Sequence, residues 1–254
     1  MIPKKICMTS YPESLADPII RESHLNLKII NPKWKITIWE EDQRLEFIKD
    51  KYGMDILNIY NKINPVYGAA RADFFRFLYI YEVGGVYLDD KTFCKTPFEK
   101  FINEADETIF CQWDNKLGEY YEGWGLHPEL YSISGGELMS SFFAAVPKNI
   151  FIKSIINYLI SRINNYSPNQ ERLGAYEILR TTGPVALTIG VFKKILELRE
   201  SNTKFKQPKI LKMQDINLIF SVLDKPDKKP GEHIRIRQNH YRKIREPLII
   251  NNPN

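Results

Sequence analysis

The chain has 254 residues, a formal net charge of +5, and 43% hydrophobic and 13% aromatic content. That apolar content suits a packed core and excludes a disordered chain, and no run of 18 apolar residues exists to cross a membrane. Three widely spaced cysteines, Cys7, Cys94 and Cys111, with no CxxC pair, exclude a disulfide framework and a zinc site.

The length admits one α/β domain, and the reading is a single domain over 1–254 with a basic C-terminal segment, about 225–254. Eight basic residues against two acidic ones fall within 225–245. The excess charge is therefore one local feature, unlike a nucleic-acid-binding face built from several elements. Lys4 and Lys5 have no apolar stretch behind them, so no signal peptide is read and a cytoplasmic protein is expected.

In chain order, a first strand precedes Thr9 and Ser10. Short strands are expected at 28–30, which also reads as a helix end, and at 35–39. Helices are expected at 41–52 and 56–61, the second closed by Asn64-Pro65. Residues 69–81 are apolar, aromatic and free of Gly and Pro, too long for an ordinary strand, which predicts a buried helix. Gly84-Gly85 stops it, since Gly accepts the left-handed conformation after a helix end. Strand character follows at 86–88, then at 108–113 and 140–146. Apolar spacing predicts helices over 151–164 and 184–198, the latter with Pro184 in its first turn. Strands alternating with helices imply an α/β sheet.

The most informative stretch, 67–91, reads YGAARADFFRFLYIYEVGGVYLDDK. Asp73 and Arg76 stand at i and i+3, side by side on the helix. Asp89 and Asp90 close the strand, at the end of an α/β sheet where ligands bind. A carboxylate there can hold a hard divalent cation. Alone, the helix pair also reads as an ion pair and the strand end as a solvated terminus.

RADFFRFLYIYEVGGVYLDDK resembles the signature of glycosyltransferases carrying the DXD sugar-binding motif: family 32, the yeast-type initiating mannosyltransferases and, more distantly, the glucosylating domains of clostridial toxins. Their usual form is an A-R-x-D-x-x-R helix followed by GG-[IV]-Y-x-D-x-D. The opening Ile2-Pro3-Lys4-Lys5-Ile6, the Asn31-Pro32-Lys33-Trp34 segment with Trp39, and Thr182-Gly183-Pro184 also resemble family elements. Two positions depart. Lys91 stands at the second Asp of DXD, and Cys7-Met8 replaces the His-Gln of the family opening. A protonated Lys cannot be a metal ligand but can place positive charge against a diphosphate, so the site is expected to depend less on Mn2+ than its relatives.

The resemblance implies a GT-A-type, Rossmann-like fold with a mixed central sheet flanked by helices. It implies a retaining transferase that moves a hexose from a UDP- or GDP-sugar to a glycan or glycosylated acceptor, with Mn2+ or Mg2+ as cofactor. Asp73, Arg76 and Asp89 are the expected catalytic residues. Donor contacts are expected from these three and from Thr9, Tyr67, Arg71, Asp90, Lys91, Trp113, Gly183 and His240. Asp89, Asp90 and His240 are the expected metal ligands.

For several of these a plainer reading stays open: packing for Tyr67, a surface charge for Arg71, an ordinary loop at Gln112 to Asn115, a helix start at Gly183, a solvated tail around His240. Ser140 and Ser141 fall where relatives often carry Asn. His24 and His127 have no partner pattern and are not read as ligands. Two other functions compete: a glycosyltransferase-like protein that binds nucleotide or glycan with weak or no turnover, and an anionic-surface binder driven by the basic tail.

Overall fold

The computed structural model describes residues 1–167, 174–224 and 244–250. Strands β1 (Lys5–Thr9), β2 (Lys35–Trp39), β3 (Gly85–Leu88), β5 (Thr108–Gln112), β6 (Leu138–Ala145) and β7 (Lys209–Lys212) form one sheet in the order β2-β1-β3-β6-β5-β7. Strand β1 is parallel to both β2 and β3, and β5 is parallel to β7; β6 runs antiparallel to β3 and β5. A two-stranded ribbon of β4 (Phe93–Cys94) and β8 (Leu218–Ile219) stands apart. This is the mixed sheet flanked by helices that the resemblance implies.

Helix α1 (Pro12–Ala16) is followed by α2 (Pro18–Ile30), whose first turn is capped by Asp17 Oδ1 accepting the Ile19 amide at 2.9 Å. Residues 28–30 are therefore the end of a helix, not a strand. Helix α3 (Glu41–Asn61) is broken at Gly53, with φ 72° and ψ −169°, so its halves correspond to the two helices expected there. Helix α4 (Gly68–Val83) is buried from Ala70 to Ile80 and ends at Gly84, which has φ 69°. Helices α5 (Ile150–Asn164) and α7 (Pro184–Glu200) pack together, with the short α6 (Ala175–Thr181) between them in sequence.

Two apolar clusters occupy opposite faces of the sheet. Cys7, Tyr87, Phe110 and Phe143 face α4, α5 and α7. Ile6, Met8, Val86 and Leu88 face Leu27 of α2, Trp34 and Phe98. Strand side chains alternate between faces, so this division determines where the residues just beyond β1 and β3 point.

Gly85 makes the β1–β3 approach possible. Its φ is +107°, and a Cβ placed there would stand 2.5 Å from the Lys5 carbonyl oxygen. The second glycine of the pair thus serves strand packing, while the first ends the helix.

Candidate active site

The alternation continues past Leu88. The Asp89 amide donates to Ser141 O at 2.9 Å, carrying the β3–β6 ladder one residue further. Asp89 accordingly points to the α4 face, as Tyr87 does. Its Oδ1 lies 3.4 Å from Arg76 Nη2 and accepts the Tyr87 hydroxyl at 2.8 Å. Thr9 Oγ1, on the same face of β1, is 2.9 Å from that hydroxyl.

On α4, Arg76 Nη2 reaches Asp73 Oδ1 at 2.9 Å, with both side chains less than a tenth exposed. The guanidinium lies over the Tyr87 ring at 4.3 Å and also donates to Ser140 O. Thr182 Oγ1 donates to Asp73 Oδ2 at 3.3 Å. Burial pushes the Asp73 carboxyl from its ordinary 3.8 up to about 7. The Arg76 charge and the Thr182 hydrogen bond oppose that rise, and the Asp89 charge adds to it.

Asp73, Arg76 and Asp89 line a cavity of about 280 Å³ together with Lys91, Trp113, Trp124, His127, Glu137 and Phe220. Ser140 and Ser141 also line it, and Ser141 Oγ is buried with no hydrogen-bond partner among the described residues. Glu137 is buried, its Oε1 accepting Trp113 Nε1–H and its Oε2 lying 2.8 Å from His127 Nε2. Trp113 meets Phe220 and Trp124 with ring centroids 4.9 and 5.1 Å apart. The lining thus combines an edge-to-face aromatic cluster with the charged Asp73, Arg76 and Asp89.

Of the residues singled out by sequence, Asp73, Arg76, Asp89, Lys91 and Trp113 come together in this cavity, with Thr9 behind it, joined to Asp89 through the Tyr87 hydroxyl. Asp90 goes elsewhere. It stands in the turn after β3, where its Oδ2 accepts Ser10 Oγ at 2.8 Å and Ser14 Oγ at 2.5 Å. Its carbonyl oxygen lies 2.9 Å from His24 Nε2.

Tyr67, expected at the donor, is buried with its hydroxyl donating to Glu246 O. Arg71 pairs with Glu41 at 2.8 Å and lies over the Tyr60 ring at 4.5 Å, outside the cavity lining. Gly183 packs against Leu179, where a Cβ would stand 2.9 Å from its Cα, and its neighbour Pro184 lines the cavity instead. His240 lies outside the described residues.

Glu137, His127, Trp124 and Phe220 were not found by sequence. Their spacing from 89 follows no local period, because a long loop and the segment after β8 deliver them. The one available signal was the strand–Trp113 junction, which marks where that loop begins.

Residues 21–108 match the family described as the glycosyltransferase sugar-binding region containing the DXD motif. That stretch, about a third of the chain, is what the chain shares with the family. It contains Asp73, Arg76 and Asp89, and it ends before the loop that supplies Trp113 to Glu137.

An uncharacterised glycosyltransferase of Acanthamoeba polyphaga mimivirus is 31% identical over 83 residues, 33% of this chain and 32% of the relative. The pyruvylated Gal-beta-1,3-epitope synthesis protein 2 of Schizosaccharomyces pombe is 24% identical over 135 residues, 53% of this chain and 33% of the relative. The chain spans about a third of the length of these curated relatives. Among solved structures, the PaToxG glycosyltransferase superposes with a TM-score of 0.46 at 15% identity, over 79% of this chain and 72% of that one.

A divalent cation is the usual companion of a DXD region, and the described residues do not suit one. Among the described residues no group of three or more His, Cys, Asp or Glu side chains is arranged to hold a metal ion. Asp89 has one oxygen already committed to Arg76 and Tyr87, Asp90 is held by two serines, and Lys91 occupies the second acidic position. No helix among the described residues is long and apolar enough to cross a membrane.

Proposed function

We propose that the protein is a glycosyltransferase that moves a hexose from a UDP- or GDP-sugar to a glycan or glycosylated acceptor. The observation that carries this reading is the convergence of Asp73 and Asp89 on Arg76 in the lining of one cavity. In a region of the sugar-binding type, two carboxylates on one side suit the hydroxyls of a donor sugar. The tryptophan wall suits the apolar face of a second ring, the acceptor's. The name of the fission-yeast relative, which refers to synthesis of a galactose epitope, is in keeping with a glycan acceptor.

The step we propose retains anomeric configuration. The bond from C1 to the β-phosphate oxygen breaks, and its electron pair stays on that oxygen. The acceptor hydroxyl attacks C1 from the same face and gives its proton to the departing phosphate oxygen. A protein base is not needed, and the buried carboxylates are already engaged: Glu137 by Trp113 and His127, Asp73 by Arg76 and Thr182. The chain's contribution is positioning and charge compensation.

Hydrolysis of a panel of UDP- and GDP-sugars tests this, with Asp89→Ala alongside. Hydrolysis of one donor that is lost in the variant supports the proposal. Nucleotide binding by calorimetry with no hydrolysis or transfer of any donor would favour a non-catalytic binding protein instead. Proton NMR of the first product, showing the donor's own anomeric configuration, tests retention.

A further inference from the structure

The cavity that lacks a metal-ligand set contains an ammonium at the place where the motif would supply one. Lys91 follows Asp89 by two residues in the turn closed by the Thr92 amide donating to Asp89 O at 3.0 Å, and both line the cavity. The intervening Asp90 is turned away and fixed by Ser10 and Ser14.

The backbone of Lys91 is anchored. Its carbonyl accepts the Val222 amide at 2.8 Å, and Thr92 Oγ1 donates to Phe220 O at 2.8 Å. The ammonium lies 5.4 Å from the centre of the Phe220 ring, whose face favours a cation. No ion pair among the described residues ties it to a carboxylate, whereas Arg76 is committed to Asp73 and Asp89.

We propose that Lys91 binds the donor's diphosphate directly and takes the place of the divalent cation, so that donor binding is metal-independent. The inference rests on the glycosyltransferase reading and narrows it. As the C1–O bond breaks, negative charge grows on the β-phosphate oxygens, and the ammonium offsets it without giving up a proton. A lysine is a compact point charge suited to phosphate, and a half-buried cavity screens it less than water would.

The test is calorimetric binding of UDP and of GDP to the full chain, in EDTA and in Mn2+. Lys91→Ala and Lys91→Arg are measured alongside, with circular dichroism confirming that both fold. The proposal expects one nucleotide to bind with a Kd that agrees within about threefold between EDTA and Mn2+. It also expects roughly tenfold or greater weakening in Lys91→Ala, with Lys91→Arg retaining most of the affinity. Wild-type binding that vanishes in EDTA and returns with Mn2+ overturns the inference while leaving the glycosyltransferase reading intact. Metal-free binding that is unchanged in Lys91→Ala overturns it too. Failure of both nucleotides to bind in either condition removes the inference and the donor-site reading together.

Discussion

Arg76 Nη2 stands 3.4 Å from Asp89 Oδ1 and thereby fastens the middle of α4 to the end of β3. The same nitrogen holds Asp73 at 2.9 Å. One guanidinium therefore sets the spacing of the two carboxylates proposed to meet the donor sugar, and both stability and function pass through it.

Arg76→Met is expected to lose about 3–5 kcal/mol of folding stability, because it leaves Asp73 buried without its cation. Urea unfolding measures this. A loss below about 1 kcal/mol would mean that the pair contributes little.

Asp73 gives the site a pH dependence with a definite sign. Its folded value, about 7, lies above its ordinary 3.8. Folding therefore favours the protonated acid: this group's contribution to stability is full below the lower value and is lost as pH rises through the upper one. Donor binding needs the opposite form, the carboxylate that accepts sugar hydroxyls. Affinity for the donor should rise with pH through about 7, and Asp73→Asn should bind weakly with that inflection removed. A profile unchanged by the substitution would contradict the assignment.

Asp90→Ala should separate the two neighbouring aspartates. It strands the hydroxyls of Ser10 and Ser14, a change worth about 1–3 kcal/mol of stability. Nucleotide affinity in the folded variant should stay within about threefold of wild type, since less than 1 kcal/mol is then at stake. Loss of affinity as large as that of Asp89→Ala would show that Asp90 reaches the ligand.

Gly85→Ala is expected to disrupt the sheet. The added Cβ would meet the Lys5 carbonyl oxygen at 2.5 Å in a backbone conformation strained for any other residue. Thermal unfolding should show a markedly lower midpoint or no cooperative transition. A wild-type midpoint would mean that β1 and β3 can separate without penalty.

Much of the site's frame was legible because local rules carry it. The apolar run of α4, its glycine stop and the short β3 follow one another without tertiary help. The three-residue step from Asp73 to Arg76 needs only helix geometry. The different fates of Asp89 and Asp90 are less legible, because a DD pair at a strand end does not announce how far the strand extends. The ladder bond from the Asp89 amide to Ser141 O settles that, and it comes from a residue 52 positions away.

Elsewhere local rules were overridden or faint. The apolar Leu-Lys-Ile-Ile end of α2 reads as a strand until the Asp17-Pro18 start is noticed. Strand β7, Lys-Ile-Leu-Lys, is short and charged, and only its pairing with β5 makes it a strand. Glu137 and His127 face each other because the loop between β5 and β6 folds back on itself. Gln112 Nε2 donates to Ser134 O and Gly136 O, and Asn115 Nδ2 to Trp124 O and Gly135 O. Those side-chain-to-backbone bonds have no periodic signature.

Crystals grown with UDP-glucose or with GDP-mannose would test the central claim most directly, through the position of the bound donor. The account predicts sugar hydroxyls within hydrogen-bonding distance of Asp73 and Asp89 and diphosphate oxygens against the Lys91 ammonium, inside the cavity walled by Trp113. A donor bound elsewhere on the protein, with the Asp73–Arg76–Asp89 cluster untouched, would contradict it.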